Sequence, residues 1–169
     1  MLTIQHSTQE DIDEIFRFYD MAVEYQKKVF HKHWQGFDRE LVEKEIKEKR
    51  QWKIIIDDTI ACVFAITYSD PFIWKEKDKD PSIYIHRIVT HDKFRGRNFV
   101  VEIIKWCKEH AKEKGKKFIR LDTWGDNPKL IDHYQKCGFT FLGIITPTPS
   151  MDLPKHYDCI NLSLFEIKL

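Results

Sequence analysis

The chain has 169 residues, the size of one ordinary domain, with apolar residues at 42%, charged residues at 33% and aromatics at 14%. That mixture fills a packed core and excludes a disordered or collagen-like chain. Charges nearly cancel, 28 Lys and Arg against 27 Asp and Glu, without the basic excess of a polyanion-binding domain. The longest apolar run, Ile60 to Ile66, is far short of the ~20 residues that span a bilayer. The opening residues, MLTIQHSTQEDIDE, lack the basic-then-apolar pattern of a secretory signal. Cys62, Cys107, Cys137 and Cys159 are far apart, with no CxxC. Three of them sit among apolar neighbours, as buried thiols rather than a disulfide framework. These features predict a soluble cytoplasmic protein with neither nucleic acid nor membrane as partner and no metal. The six glycines, at 36, 96, 115, 125, 138 and 143, are about half the usual share of roughly 7%, which disfavours a turn-rich all-β or repeat protein.

In chain order, Leu2 to Gln5 forms a short strand, closed by Ser7 or Thr8 as an N-cap with Glu10 and Asp11 in the first helical turn. Ile12, Ile15, Phe16, Tyr19 and Val23 then recur at helical spacing, and a second helix is predicted from Asp38 to Lys49. Strands at Trp52 to Ile56 and Ile60 to Tyr68 meet at Asp57-Asp58 in hairpin style. Ser69 to Pro81 is polar, bracketed by prolines, and reads as a loop carrying Trp74. Ser82 to Thr90 is a β-branched strand that runs through FRGRNFV into a helix with Val100, Ile103, Ile104, Cys107 and Ala111 on its apolar face; Gly115 ends it. Lys117 to Thr123 is the next strand. Asn127 caps a helix with Pro128 at its first position, and Gly138 closes it before the strand Phe139 to Ile145. A Pro-rich segment leads to a last strand, Cys159 to Ile167. The order β-α-α-β-β-β-α-β-α-β-β predicts an α/β chain with a mixed sheet in a single domain over residues 1–169.

A strand feeding a loop that opens a helix is a standing anion site, because the first helical N–H groups have no intrahelical partner. Here that loop holds Arg95 and Arg97, with Gly96 allowing close backbone approach. Asn127 and Tyr134 lie about two turns apart on one helix face, before Lys136-Cys137-Gly138-Phe139. With FRGRNFV and NPKLIDHYQKCGF in this order of elements, the chain resembles the GNAT superfamily of N-acetyltransferases. The second motif matches closely, with Asn127, Tyr134, Gly138 and Phe139 at the expected spacing. The first departs from the family's Q/R-x-x-G-x-G/A: Arg95 fits, whereas Asn98 replaces a glycine and Val100 replaces Gly or Ala. Asn tolerates positive φ best after Gly, so the loop can survive that change.

The resemblance implies a GNAT-like acyl-CoA N-acyltransferase fold, with a mixed, mostly antiparallel central sheet of about seven strands flanked by helices. It implies acetyl transfer from acetyl-CoA to the primary amine of a small molecule by direct attack, and it allows a homodimer. The phosphates would lie on Arg95, Gly96, Arg97, Asn98, Phe99 and Val100. The pantetheine arm would pair with Ile88, Val89 and Thr90 like an added strand, and an N–H near Ile88 would hold the oxyanion. Asn127 and Tyr134 complete the cofactor-binding set, with Tyr134 as acid to the leaving thiolate. His86 is the candidate base. Tyr84, two residues earlier, is placed to orient His86 or a water. Asp122 on the neighbouring strand reads as a structural acceptor first and a base second.

Weaker signals have plain explanations. His31-Lys32-His33 reads as a solvated helix end, and His91 and Asp92 as exposed loop residues. The lysines at 105, 108, 112, 114, 116 and 117 read as a solvated face, with the cofactor's 3′-phosphate as a minor role that Lys136 shares. Trp34, Phe37, Trp74, His156 and Tyr157 suit either an acceptor pocket or the core. Two other functions stay open: a non-catalytic acyl-CoA-binding module, and an acetyltransferase of protein amino groups.

Overall fold

In the computed structural model the described residues are 1–30, 33–125, 127–147 and 161–169. Seven strands form one sheet in the order β1-β2-β3-β4-β5-β7-β6: β1 Leu2–His6, β2 Gln51–Ile56, β3 Thr59–Thr67, β4 Ser82–Thr90, β5 Phe118–Trp124, β6 Thr140–Ile145 and β7 Leu162–Lys168. The helices are α1 Ile12–Val29, α2 Arg39–Lys47, α3 Pro71–Trp74, α4 Phe99–Lys114 and α5 Pro128–Lys136. Pairing is antiparallel between β1 and β2, β2 and β3, β5 and β7, and β6 and β7. β4 and β5 are parallel, in register over only Ser82 to Tyr84 and Phe118 to Arg120. The mixed, mostly antiparallel sheet is the predicted one.

The chain divides into two compact units, Met1–Ile66 with Arg87–Phe99, and Thr67–His86 with Val100–Leu169. In the first unit, Thr8 opens the chain's first helical turn. Its N–H donates to Asp11 Oδ2 at 2.7 Å, and Asp11 N–H donates back to the Thr8 carbonyl at 2.9 Å. The face of α1 that goes inward is Ile12, Ile15, Phe18 and Tyr19. Phe18 rather than Phe16 is the buried ring, because Phe18 follows Ile15 by three residues and stays in the stripe. These side chains pack with Val42, Ile46, Val63 and Val89. Trp34 and Phe37 stand against the same core, their centroids 6.1 and 5.2 Å from the Tyr19 ring. The β2–β3 hairpin turns on Asp57 and Asp58 with φ of 48° and 65°, the consecutive left-handed pair that matches strand twist. α2 stops two residues early, as Lys49 takes a φ of 59°.

In the second unit the segment predicted as a loop is helical. Pro71 sits at the first position of α3, and Lys75–Lys79 forms a 3₁₀ turn. The Asp78 carboxylate holds this segment, accepting from Ser69 Oγ at 3.0 Å, Asp70 N–H at 2.7 Å and Tyr84 Oη at 2.7 Å. A side chain that satisfies a turn at long range leaves no local signature. Trp74 is 2% exposed and joins Ile73, Tyr84, Leu162 and Leu164 in the core, so it is not a pocket wall. The end of α4 does follow its glycine: Gly115 has φ of 67° and Lys116 N–H reaches the Ala111 carbonyl at 2.9 Å. β7 begins at Leu162, after the Pro-rich segment; residues 148–160, which include most of that segment and Cys159, lie outside the described residues.

Arg120 organises this unit. It is 1% exposed and donates to Glu166 at 2.7 Å, Asp80 at 3.0 Å, the Lys77 carbonyl at 2.7 Å and Tyr84 Oη at 3.3 Å. Its guanidinium also lies 4.8 Å from the Trp74 ring and 4.6 Å from Phe118. Truncating one partner of a buried ion pair leaves the other charge uncompensated. Arg120→Ala is therefore expected to lower unfolding stability by about 3–5 kcal/mol, read as the shift in a urea midpoint at unchanged slope. A loss below about 1 kcal/mol would show that the network is a surface-like pair.

Candidate active site

The first unit holds Ile88, Val89 and Thr90 at the end of β4 and the loop that follows. Val89 is buried and Thr90 Oγ1 lies 4.0 Å from Cys62 Sγ. A 3₁₀ turn at Asp92–Phe94 leads to Arg95, whose Nε and Nη2 bind Asp92 at 2.9 and 2.7 Å. The Arg95 guanidinium also lies over the Tyr25 ring, 4.1 Å from its centroid. Gly96 has φ of 84° and Asn98 has φ of 50°. Asn98 thus adopts the left-handed conformation that a glycine at its place would take. Alternating left-handed residues of this kind turn successive N–H groups to one side and make an anion-binding concavity. Arg97 is exposed, Phe99 is 3% exposed, and Phe99 opens α4. His91, predicted to be exposed, is half-buried: its ring is 5.6 Å from Phe18 and its Nδ1 accepts from Lys93 N–H at 3.1 Å.

The second unit holds His86, Val100, Asn127 and Tyr134. Val100 is 8% exposed. Asn127 Oδ1 accepts from Lys129 N–H at 3.2 Å and Leu130 N–H at 3.3 Å, so the side chain serves as the α5 cap. The Tyr134 ring packs 5.2 Å from Phe165 and 6.0 Å from Phe139, edge-on to the latter. His86 Nε2 stands 3.4 Å from Asp70 Oδ2. Asp122 joins them: one ligand atom from each of Asp70, His86 and Asp122 lies within 4.8 Å of the others, the group that could hold a metal ion among the described residues.

Tyr84 works differently from its sequence-based expectation. Its hydroxyl donates to Asp78, which also accepts from the N–H of Asp70, so Tyr84 braces the partner of His86 through Asp78. Sequence reasoning missed Asp70. Its one signal was Pro71, since Asp before Pro is a common helix entry. His31, Lys32, His156 and Tyr157 lie outside the described residues. His33 Nδ1 lies 2.8 Å from the Trp34 carbonyl. Lys136 pairs with Asp132 at 2.7 Å on its own helix, and Lys105 and Lys112 pair with Glu102 and Glu109. Burial pushes the Cys62 thiol up to about 12 and the Cys107 thiol higher still, so neither is a nucleophile at neutral pH.

A family model, the acetyltransferase (GNAT) family, matches residues 11–139. The chain belongs to this acetyltransferase family. An uncharacterized N-acetyltransferase, YesJ of Bacillus subtilis (strain 168), is 28% identical over 74 residues, which cover 44% of this chain and 41% of that relative's length. Among solved structures, a GNAT-family acetyltransferase from Listeria monocytogenes 4b F2365 superposes with a TM-score of 0.79 at 20% identity, over 99% of this chain and 95% of the other. The structure of yncA from Salmonella typhimurium with its cofactor acetyl-CoA gives a TM-score of 0.69 at 12% identity, over 99% and 94% of the two chains. The predicted GNAT acyltransferase fold is thus the observed one. No helix among the described residues is long and apolar enough to cross a membrane.

Burial, and then the hydrogen bond to Asp78, pushes the Tyr84 phenol up to about 12. A proton held more tightly in the folded chain than in the unfolded one stabilises the fold fully below pH 10, and that contribution disappears as pH rises through 12. Wild-type stability is therefore expected to fall more steeply across this window than that of Tyr84→Phe. Parallel slopes in urea unfolding at stepped pH would refute the assignment.

Proposed function

We propose that this GNAT acetyltransferase transfers an acetyl group from acetyl-CoA to the primary amine of a small molecule, with residues 1–169 working as one catalytic domain. The observation that carries the donor assignment is the loop before α4, where Gly96 and Asn98 both have positive φ. The amides of Gly96 to Val100, with Arg95 and Arg97, suit a pyrophosphate at a helix start. Asn98 meets the backbone demand of its glycine-like position, and the buried Val100 keeps its branched side chain in the packed interior. Acetyl-CoA supplies a thioester that an unprotonated amine attacks directly.

The chain's own residues divide the remaining work. Ile88 to Thr90 offer a strand edge to the pantetheine arm, and the Ile88 N–H holds the thioester oxygen as negative charge develops on it. His86 takes the proton from the amine. The Asp70 carboxylate, 3.4 Å from Nε2, stabilises the positive charge that the ring then acquires. Tyr134 gives a proton to the departing sulfur; a phenol's reference pKa near 10 keeps it protonated, and so able to donate, at neutral pH. Its packing between Phe139 and Phe165 fixes the ring for that task. The protein is proposed to act in the cytoplasm.

Acetyl-CoA titrated into the wild-type chain, followed by a panel of primary amines read by free-thiol release, tests this reading. No binding at millimolar acetyl-CoA refutes it. Tyr134→Phe is expected to lower kcat by about a hundredfold with the acetyl-CoA dissociation constant little changed. His86→Ala is expected to lose a similar factor at neutral pH, in part recovered at alkaline pH where more amine is unprotonated. An unchanged kcat in either variant removes that residue from its role.

A further inference from the structure

Arg87 lies in the middle of β4, yet its φ is 52°. A bulky residue takes this left-handed conformation only when its surroundings impose it. The surroundings here are specific. The Arg87 guanidinium lies 4.9 Å from the Phe37 ring and 5.7 Å from the Tyr19 ring, and Nη2 ends on Glu45 Oε2. Glu45, on α2, is 4% exposed and also accepts from Gln51 Nε2 at 3.1 Å, with Arg50 Nη1 at 3.7 Å. Gln51 donates in turn to the Tyr19 hydroxyl at 3.0 Å, so α1, α2, β2 and β4 meet at one buried charge pair. Apolar side chains of similar volume would fill this core without the desolvation penalty of two charges.

The position in the chain gives the pair its use. Successive residues of a strand point to opposite sides, and a left-handed residue breaks that alternation for the peptide that follows. The peptide after Arg87 is the one that carries the Ile88 N–H. We propose that Glu45 and Arg87 are positioning residues: their buried ion pair holds the left-handed turn in β4 and so aims the amides of Ile88 to Thr90 at the acetyl thioester. This rests on the assignment of acetyl-CoA to that edge. Neither side chain touches the reacting atoms.

Glycine adopts positive φ without strain and alanine does not, so Arg87→Gly and Arg87→Ala lose the same side-chain contacts but differ in backbone preference. Calorimetric titration of each full-length variant with acetyl-CoA and with coenzyme A separates the two effects. Arg87→Gly is expected to bind acetyl-CoA about tenfold more tightly than Arg87→Ala, and to keep more of the preference for acetyl-CoA over coenzyme A. A purely structural pair predicts equal affinities for these two variants, and that result overturns the proposal. Glu45→Gln keeps the side chain's volume and an acceptor for Gln51 Nε2, and it serves should Arg87→Ala fail to fold. It is expected to weaken acetyl-CoA binding about tenfold; wild-type affinity in this variant overturns the proposal. Absence of acetyl-CoA binding by the wild-type chain overturns the donor assignment and the clamp with it, whereas equal variants on a binding wild type overturn the clamp alone.

Discussion

The parallel pairing of β4 with β5 is the constraint on which the rest of the structure depends. Two parallel neighbours cannot be joined by a tight turn; the chain must cross over, and a helix is the economical way to do so. α4 is that crossover, and its first residue, Phe99, comes nine positions after β4 ends at Thr90. The end of a strand and the start of a helix are therefore joined by a short loop whose amides have no helical partner. The proposed anion site at Gly96 to Val100 follows from that connection before it is a feature of any family. The antiparallel strands impose no such requirement, and their connections can be hairpins such as Asp57-Asp58 or longer excursions such as the one before β7.

Each compact unit also draws an arginine largely out of solvent, and the two serve different ends. Arg120 on β5 gathers the carboxylates of Asp80 and Glu166, the Lys77 carbonyl and the Tyr84 hydroxyl, and so fixes the 3₁₀ turn that carries Asp78. Asp78 then holds Asp70, and Asp70 faces His86. Arg87 on β4 instead ties its own strained backbone to Glu45. A buried guanidinium is a costly way to gain stability, because the desolvation penalty competes with the pairing. It is an effective way to fix geometry, since five donors in a rigid plane admit few arrangements of their acceptors.

The parts of this design that depend on local chemistry were legible in the sequence. Asn127 before Pro128 marks a helix start, Gly115 and Gly138 mark helix ends, and both glycines have positive φ. Asn98 in a glycine's place was readable because Asn is the side chain that tolerates φ above zero. What stayed hidden depends on partners far along the chain. Asp78 organises Ser69, Asp70 and Tyr84, yet in sequence it is one acid in the polar run KEKDKD, which reads as solvent-exposed. Arg87 sits in SIYIHRIVT, where β-branched neighbours predict an ordinary strand. The partner of its guanidinium, Glu45, is 42 residues away, and no local pattern reports the left-handed φ.

Three consecutive residues of β4 carry these proposed roles. His86 is the proposed base, Ile88 carries the proposed oxyanion donor, and Arg87 between them bends the chain. A regular strand would give the side chain of residue 86 and the amide of residue 88 directions fixed by the pleat alone. The two proposed tasks need independent directions, one to remove a proton from the amine and the other to hold the thioester oxygen. A left-handed residue between them decouples the two, and only a position overdetermined by its surroundings can keep that conformation. Asp70 fixes one side of the turn through the imidazole and Glu45 fixes the other through the guanidinium. The Glu45–Arg87 pair stands where backbone direction, rather than stability, is what the proposed chemistry requires.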